Sequence, residues 1–115
     1  MDADYDAAVA RGDTWVADDG GQIVGLLILV PGDDHVLVEN VAVDPGRQGE
    51  GIGRALLAFG EQRAAELGVS EMRLYTHVLM TENQALYARL GYVEVERRTV
   101  EGRTGVFMSK RLLGE

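Results

Sequence analysis

The chain has 115 residues, of which 46% are hydrophobic and 26% charged, and its formal net charge at pH 7 is −8. We therefore expect residues 1–115 to form a single globular domain, and the acidic balance argues against nucleic-acid binding. The chain has no cysteine and therefore no thiolate chemistry, and no apolar run approaches the roughly 18 residues of a membrane span. Because the first residues do not resemble a signal peptide, we expect a cytoplasmic protein.

The first part of the sequence predicts three strands. Residues 1–11 fit either a short helix or an irregular arm, and residues 14–17 fit a short strand. The turn sequence DDGG joins that strand to one over residues 22–30, whose run IVGLLILV predicts burial on both faces. A third strand is predicted over residues 35–43 and is closed by Asp-Pro-Gly at 44–46.

A helix is predicted over residues 51–67. Helical spacing places one set of side chains on its inner face, namely Ile52, Ala55, Leu56, Phe59, Arg63, Ala64 and Leu67. Gly68 then fits a helix stop, and a strand is predicted over residues 72–76.

A second helix is predicted from the capping-box pattern TENQ, with Thr81 as N-cap and Gln84 reaching back to it. The helix is expected to end at Leu90, before Gly91. Residues 92–98 and 104–110 then predict a final hairpin around VEGR. Strands that alternate with two helices indicate an α/β or α+β layered fold.

A glycine-rich loop, RQGEG, lies between the third strand and the first helix. The first turn of a helix presents unpaired N–H groups, and glycines allow positive φ angles and leave room for a phosphate. The alternative is a turn that only packs the helix closely onto the strand. A dinucleotide fingerprint would need glycine where Arg54 or Leu56 stands, and a P-loop would need a lysine, so neither pattern is present.

The segment VAVDPGRQGEGIGRALL closely resembles the acetyl-CoA-binding motif of the GNAT superfamily of N-acetyltransferases. Its signature is met by Gln48, Gly51 and Gly53, and the later NQALYARLGY resembles the second motif of the family. The similarity extends over about residues 14–112. It implies a mixed, mostly antiparallel sheet with two main helices, lacking the usual first strand and helices.

The resemblance implies transfer of an acetyl group from acetyl-CoA to a primary amine of a small molecule or a protein. The alternative function is a non-catalytic module that binds or senses acyl-CoA. No metal-ligand spacing is present in the sequence. A backbone role in binding the pantetheine arm is implied for the strand residues Val41, Ala42 and Val43. Pyrophosphate binding is implied for the loop and helix-start residues Gln48, Gly49, Gly51, Ile52, Gly53 and Arg54.

Tyr87 lies where the family keeps a tyrosine that protonates the departing CoA thiolate, although it also fits a packing residue. Asn83, one helical turn earlier, is a candidate cofactor contact, but the common family pattern places asparagine at the position of Met80. Glu39 is the first candidate for the base that deprotonates the amine, directly or through a water, and His77 is the second. Each of these two residues also fits a structural role.

The short N-terminal part of the sequence suggests a chain that lacks elements on the acceptor side of the cleft. Only thirteen residues precede Thr14, which is too few for a strand and two helices. The TWVA strand would then be an uncovered sheet edge, and such edges recruit further chains. We therefore expect a homodimer or higher oligomer, with weak or absent acetyl transfer despite good CoA binding. Light scattering after gel filtration measures the oligomeric state.

Overall fold

The computed structural model describes residues 13–112, so the arm or helix predicted over residues 1–11 lies outside the described residues. The described chain forms one sheet and two α-helices. The strands are β1 (Asp13–Asp19), β2 (Gln22–Pro31), β3 (Val36–Val43), β4 (Glu71–His77), β5 (Val93–Val100) and β6 (Arg103–Arg111). The helices are α1 (Ile52–Glu66) and α2 (Thr81–Arg89), and a short 3₁₀ turn covers Pro45–Arg47. The layered fold with two main helices is therefore confirmed.

The sheet has the strand order β1-β2-β3-β4-β6-β5, and its neighbouring strands are antiparallel except for β3 and β4. This parallel pairing lasts only from Val36 to Val38. Beyond it, β3 continues beside β2 as far as Val43, and β4 continues beside β6 as far as His77. The second halves of β3 and β4 are thus not paired with each other, which opens the sheet at its centre.

Helix α1 packs closely onto one face of the sheet. Its buried residues are Leu56, Leu57, Gly60 and Ala64. A Cβ atom added to Gly60 would lie 3.3 Å from the Met72 Cε atom and 3.5 Å from Leu27, so the missing side chain allows this close approach.

The inner face predicted for α1 is partly wrong. Ala55 and Leu67 are exposed, while Leu57 and Gly60, which the pattern left out, are buried. Phe59 is 38% exposed, and its ring and the Trp15 ring pack edge-on with their centroids 4.7 Å apart. Because the helix contacts the sheet through Gly60, the adjacent Phe59 lies at the edge of the interface between the helix and the sheet.

The prediction that β2 is buried on both faces is only partly correct. Val24, which alternates with Gly25, is 4% exposed. Leu27 and Leu29 are fully buried on the face that α1 covers, together with Gly25. The alternate residues Leu26 and Ile28 remain partly exposed. A continuous apolar run therefore does not by itself show that both faces of a strand are covered.

The capping box predicted at α2 does not form. Met80 is the N-cap, without a side-chain hydrogen bond, and Thr81 is the first helical residue. The side-chain amide of Gln84 does reach back, but it donates to the carbonyl oxygens of Val78 (2.8 Å) and His77 (3.2 Å). Gln84 therefore stabilises the turn before the helix. The first N–H groups of α2 receive no hydrogen bond from the side chain of the N-cap residue, Met80.

The strand β1 is an edge strand of the described sheet, as predicted, and β5 is the other edge. The homodimer expected from the exposed edge stays a prediction. None of the helices between residues 13 and 112 is long and apolar enough to cross a membrane.

Leu29→Ala is expected to lower the free energy of unfolding by about 2–5 kcal/mol, because it empties a fully buried position in the core. Val95→Ala, at a position that is 62% exposed on β5, is the control and should change it by less than about 0.5 kcal/mol. Urea unfolding followed by circular dichroism measures both. Equal losses in the two variants would contradict the packing described here.

Candidate active site

The loop between β3 and α1 is shaped by its own hydrogen bonds and by two glycines. The Asp44 carboxylate accepts a hydrogen bond from the Gly46 N–H at 3.0 Å, and the Asp44 carbonyl accepts one from Arg47 N–H at 2.8 Å. Gly49 and Gly51 then have φ angles of 88° and 84°, in the left-handed region that favours glycine. Gly51 is the N-cap of α1 and provides no side-chain cap, so the first N–H groups of the helix remain available to a ligand.

These N–H groups border a cavity of about 670 Å³ between the second half of β3, the glycine loop and α2. The cavity brings together all of the residues predicted to bind the cofactor. They are Val41, Ala42, Val43, Gln48, Gly49, Gly51, Ile52, Gly53, Arg54, Asn83 and Tyr87. Because β3 loses β4 as a neighbour after Val38, the backbone of residues 41–43 has an edge that β4 does not pair, and an amide-rich ligand can pair there.

Three arginines line the cavity, namely Arg47, Arg54 and Arg89, against the single acidic lining residue Glu82. Arg47 is paired with Asp19 and Glu50, whereas neither Arg54 nor Arg89 forms an ion pair with a residue between 13 and 112. No described carboxylate therefore neutralises the charges of Arg54 and Arg89. The cavity is therefore locally cationic on a chain that is acidic as a whole, which suits an anionic ligand.

The sequence did not indicate several of the lining residues: Arg47, Leu57, Met80, Glu82, Leu86 and Arg89. Those on α2 follow from helical spacing once Asn83 and Tyr87 are placed, since residues three or four apart share a face. Leu86 also approaches the start of α1, because a Cβ atom on Gly53 would lie 3.9 Å from the Leu86 Cδ2 atom.

Tyr87 is 6% exposed and lies in the core while its side chain borders the cavity. Burial raises the pKa of its phenol above the usual value of 10.0, so the hydroxyl keeps its proton throughout the neutral range. Its ring meets the ring of Tyr92 edge-on at 6.1 Å. A protonated phenol on a residue that lines a cavity is a chemically suitable proton donor.

Glu39 does not line this cavity. The register of β2 and β3 changes between Val38 and Asn40, so Glu39 is the extra residue of a β-bulge. Val38 is buried and Val41 packs against the same core. Glu39 and Asn40, which lie between these two valines, are both exposed and therefore turn toward the other face of the sheet. Glu39 lies directly after the last β3–β4 pair, at the central opening of the sheet.

His77 lies at the end of β4, and its Nδ1 atom accepts a hydrogen bond from the Leu79 N–H at 3.0 Å. In this arrangement a neutral imidazole carries its proton on Nε2. The acceptor nitrogen of His77 is thus already engaged by the backbone of the turn. Among the described residues, no group of three or more acidic, histidine or cysteine residues could hold a metal ion.

The comparisons with known proteins agree with this fold. The protein-family model of the acetyltransferase (GNAT) domain matches residues 10–94, which is well over half of the chain. The chain therefore belongs to the GNAT acetyltransferase family. The predicted family and the mixed, mostly antiparallel sheet are both confirmed.

Solved structures with the same fold include the following two. A GNAT family acetyltransferase from Elizabethkingia anophelis with acetyl-CoA bound superposes with a TM-score of 0.80 at 21% identity, over 93% of this chain and 80% of that one. The IAA acetyltransferase from Bacillus cereus also gives 0.80, at 25% identity, over 97% of this chain and 85% of that one.

Among curated proteins, N-acetyltransferase family 8 member 2 from Rattus norvegicus is 29% identical over 111 residues. The alignment covers 91% of this chain and 46% of the rat protein. The chain thus spans less than half the length of this relative.

Proposed function

We propose that this protein transfers an acetyl group from acetyl-CoA to a primary amine of a small molecule or a protein. The observation that carries the proposal is a single cavity that joins a glycine-rich helix start to a buried tyrosine. The first feature suits a pyrophosphate, and the second suits a leaving thiolate. Membership of the GNAT acetyltransferase family supports the same reaction.

The cofactor would lie along the cavity from β3 to α1. The backbone of residues 41–43 would pair with the amides of the pantetheine arm, and the N–H groups from Gln48 to Arg54 would hold the pyrophosphate. Glycine at 49 and 51 keeps this approach open, since a Cβ atom at either position would meet no protein atom within 4 Å. The space beside these glycines is therefore left to the ligand.

Acetyl-CoA supplies the thioester, whose carbonyl carbon forms a bond with the amine nitrogen as the carbon–sulfur bond breaks. Tyr87 would give its hydroxyl proton to the departing sulfur, and proton exchange with water would restore the phenol. Asn83, one turn before Tyr87 on α2, lines the same cavity and would help to hold the cofactor arm.

The amine must also lose a proton, because an ammonium group has no lone pair. Glu39 is the proposed acceptor, acting through a water molecule, because it lies at the central opening of the sheet and carries an exposed carboxylate. The hydrogen bond that occupies His77 Nδ1 makes this histidine the weaker candidate.

A panel of amines tests the proposal. The chain is incubated with acetyl-CoA and small primary amines, polyamines, amino acids or peptides, while free thiol is measured and the acetylated product is identified by mass spectrometry. We expect at least one amine to raise thiol release well above slow hydrolysis. If acetyl-CoA binds and no class of amine is acetylated, the non-catalytic acyl-CoA-binding module is the better description.

A further inference from the structure

Arg47 stands at the entrance of the glycine loop, as the last residue of the 3₁₀ turn and directly before Gln48. Its side chain lines the cavity and is 29% exposed. The family signature in the sequence begins at Gln48 and assigns nothing to Arg47. Its surroundings nevertheless show a guanidinium held in place by two carboxylates at the edge of the proposed cofactor site.

Two carboxylates fix the Arg47 guanidinium. The Nε atom donates to both carboxylate oxygens of Glu50, at 2.9 and 3.0 Å. The Nη2 atom donates to Asp19 Oδ2 at 2.8 Å, which ties the loop to the end of β1. Neither acidic residue lines the cavity, whereas Arg47 does. The acids therefore hold the guanidinium from outside the cavity.

This arrangement leaves some N–H donors of the Arg47 guanidinium without a hydrogen-bond acceptor among the described residues. A guanidinium has five N–H donors, and Nη1 has no hydrogen-bond partner among residues 13–112. A planar group that is already oriented loses little further freedom when it binds a phosphate. The same pairing offsets part of the negative charge of Glu50, which lies between Gly49 and Gly51 and would repel an anion.

We propose that Arg47 is a cofactor-binding residue, held by Asp19 and Glu50, whose guanidinium contacts a phosphate of coenzyme A. The inference rests on the proposed function, because it requires coenzyme A to occupy this cavity. The phosphate belongs either to the pyrophosphate or to the 3′-phosphate of the nucleotide. Both present the same oxygen acceptors to a guanidinium.

Arg47→Ala in the full chain tests this contact by calorimetric binding of three ligands: CoA, dephospho-CoA and pantetheine. Loss of a charged hydrogen bond should weaken CoA binding by about 10–100-fold, while pantetheine, which has no phosphate, should bind unchanged within about 2-fold. An equal loss for dephospho-CoA identifies the pyrophosphate as the partner, and a loss confined to CoA identifies the 3′-phosphate. An equal loss for pantetheine overturns the inference, because Arg47 would then act only on the shape of the site.

A double variant separates contact from charge screening. If Arg47 only neutralises Glu50, then Arg47→Ala combined with Glu50→Gln should restore CoA affinity to within about 3-fold of the wild type, which would overturn the inference. If Arg47 touches phosphate, the double variant stays weak. Because removal of Arg47 could also loosen the loop, the melting temperature without ligand is measured for each variant.

Arg97→Ala is the matched control for net charge. Arg97 is paired with Glu94 at 2.6 Å on β5 and does not line the cavity, so its loss should leave CoA affinity unchanged. A loss equal to that of Arg47→Ala would overturn the inference, because it would reflect overall charge. If the wild-type chain binds no CoA, the proposed function fails; if it binds CoA and Arg47→Ala binds equally well, only the role of Arg47 fails.

Discussion

Gly51→Glu is expected to abolish the rise in melting temperature that acetyl-CoA produces in the wild-type chain. Gly51 lines the cavity and has a φ angle of 84° at the N-cap of α1, so a side chain there is strained. A glutamate also places negative charge where we propose the pyrophosphate binds. At an acetyl-CoA concentration of about 100 times its Kd, binding should stabilise the wild-type chain by about 2.7 kcal/mol. For a domain of this size, this raises the melting temperature by roughly 10 °C.

Gly53→Ala is the control for this prediction. Gly53 has no positive φ angle, and a Cβ atom there would lie 3.6 Å from the Val43 Cγ2 atom, which is an ordinary contact. This variant should therefore keep most of the thermal shift. Both variants are first compared without ligand by circular dichroism, so that a folding defect is not read as lost binding. An undiminished shift in a folded Gly51→Glu chain would remove the loop from the cofactor site.

Tyr87→Phe is expected to lower turnover by about 10–1000-fold while the affinity for acetyl-CoA changes little. Phenylalanine keeps the buried ring and its edge contact with Tyr92 but has no proton to give. Steady-state kinetics with the best amine from the panel, together with calorimetric binding of acetyl-CoA, separate the two quantities.

A matched variant distinguishes an acid from a packing residue. Tyr92→Phe removes a hydroxyl from the other ring of the pair, whose buried oxygen has no hydrogen-bond partner within the described chain. Tyr92 does not line the cavity, so its variant should keep normal turnover. Full activity in Tyr87→Phe would show that Tyr87 is only a packing residue and that the thiolate leaves unaided or is protonated by another donor.

The local features of the site could be predicted from the sequence because short-range chemistry determines them. The glycine loop and the helix that follows it depend on φ preference and on helix ends, both of which are readable over a few residues. Asn83 and Tyr87 share a helix face because of their spacing. The structure places all of these residues around one cavity.

Features that depend on distant parts of the chain were not predictable in the same way. The ion pair between Arg47 and Asp19 joins residues 28 positions apart, and no local pattern indicates it. The side of α1 that enters the core depends on how closely Gly60 lets the helix approach β2 and β4. The end of β3–β4 pairing at Val38, which opens the cavity, likewise depends on the whole sheet.

The fate of the acetyl group tests the central claim most directly. Acetyl-CoA with an isotopically labelled acetyl group is incubated with an amine from the panel and with either wild-type chain or Gly51→Glu. We predict that the wild type places the label on the amine nitrogen and releases an equal amount of free CoA, and that Gly51→Glu does neither. Tight wild-type binding of acetyl-CoA with no label on any amine would contradict this account.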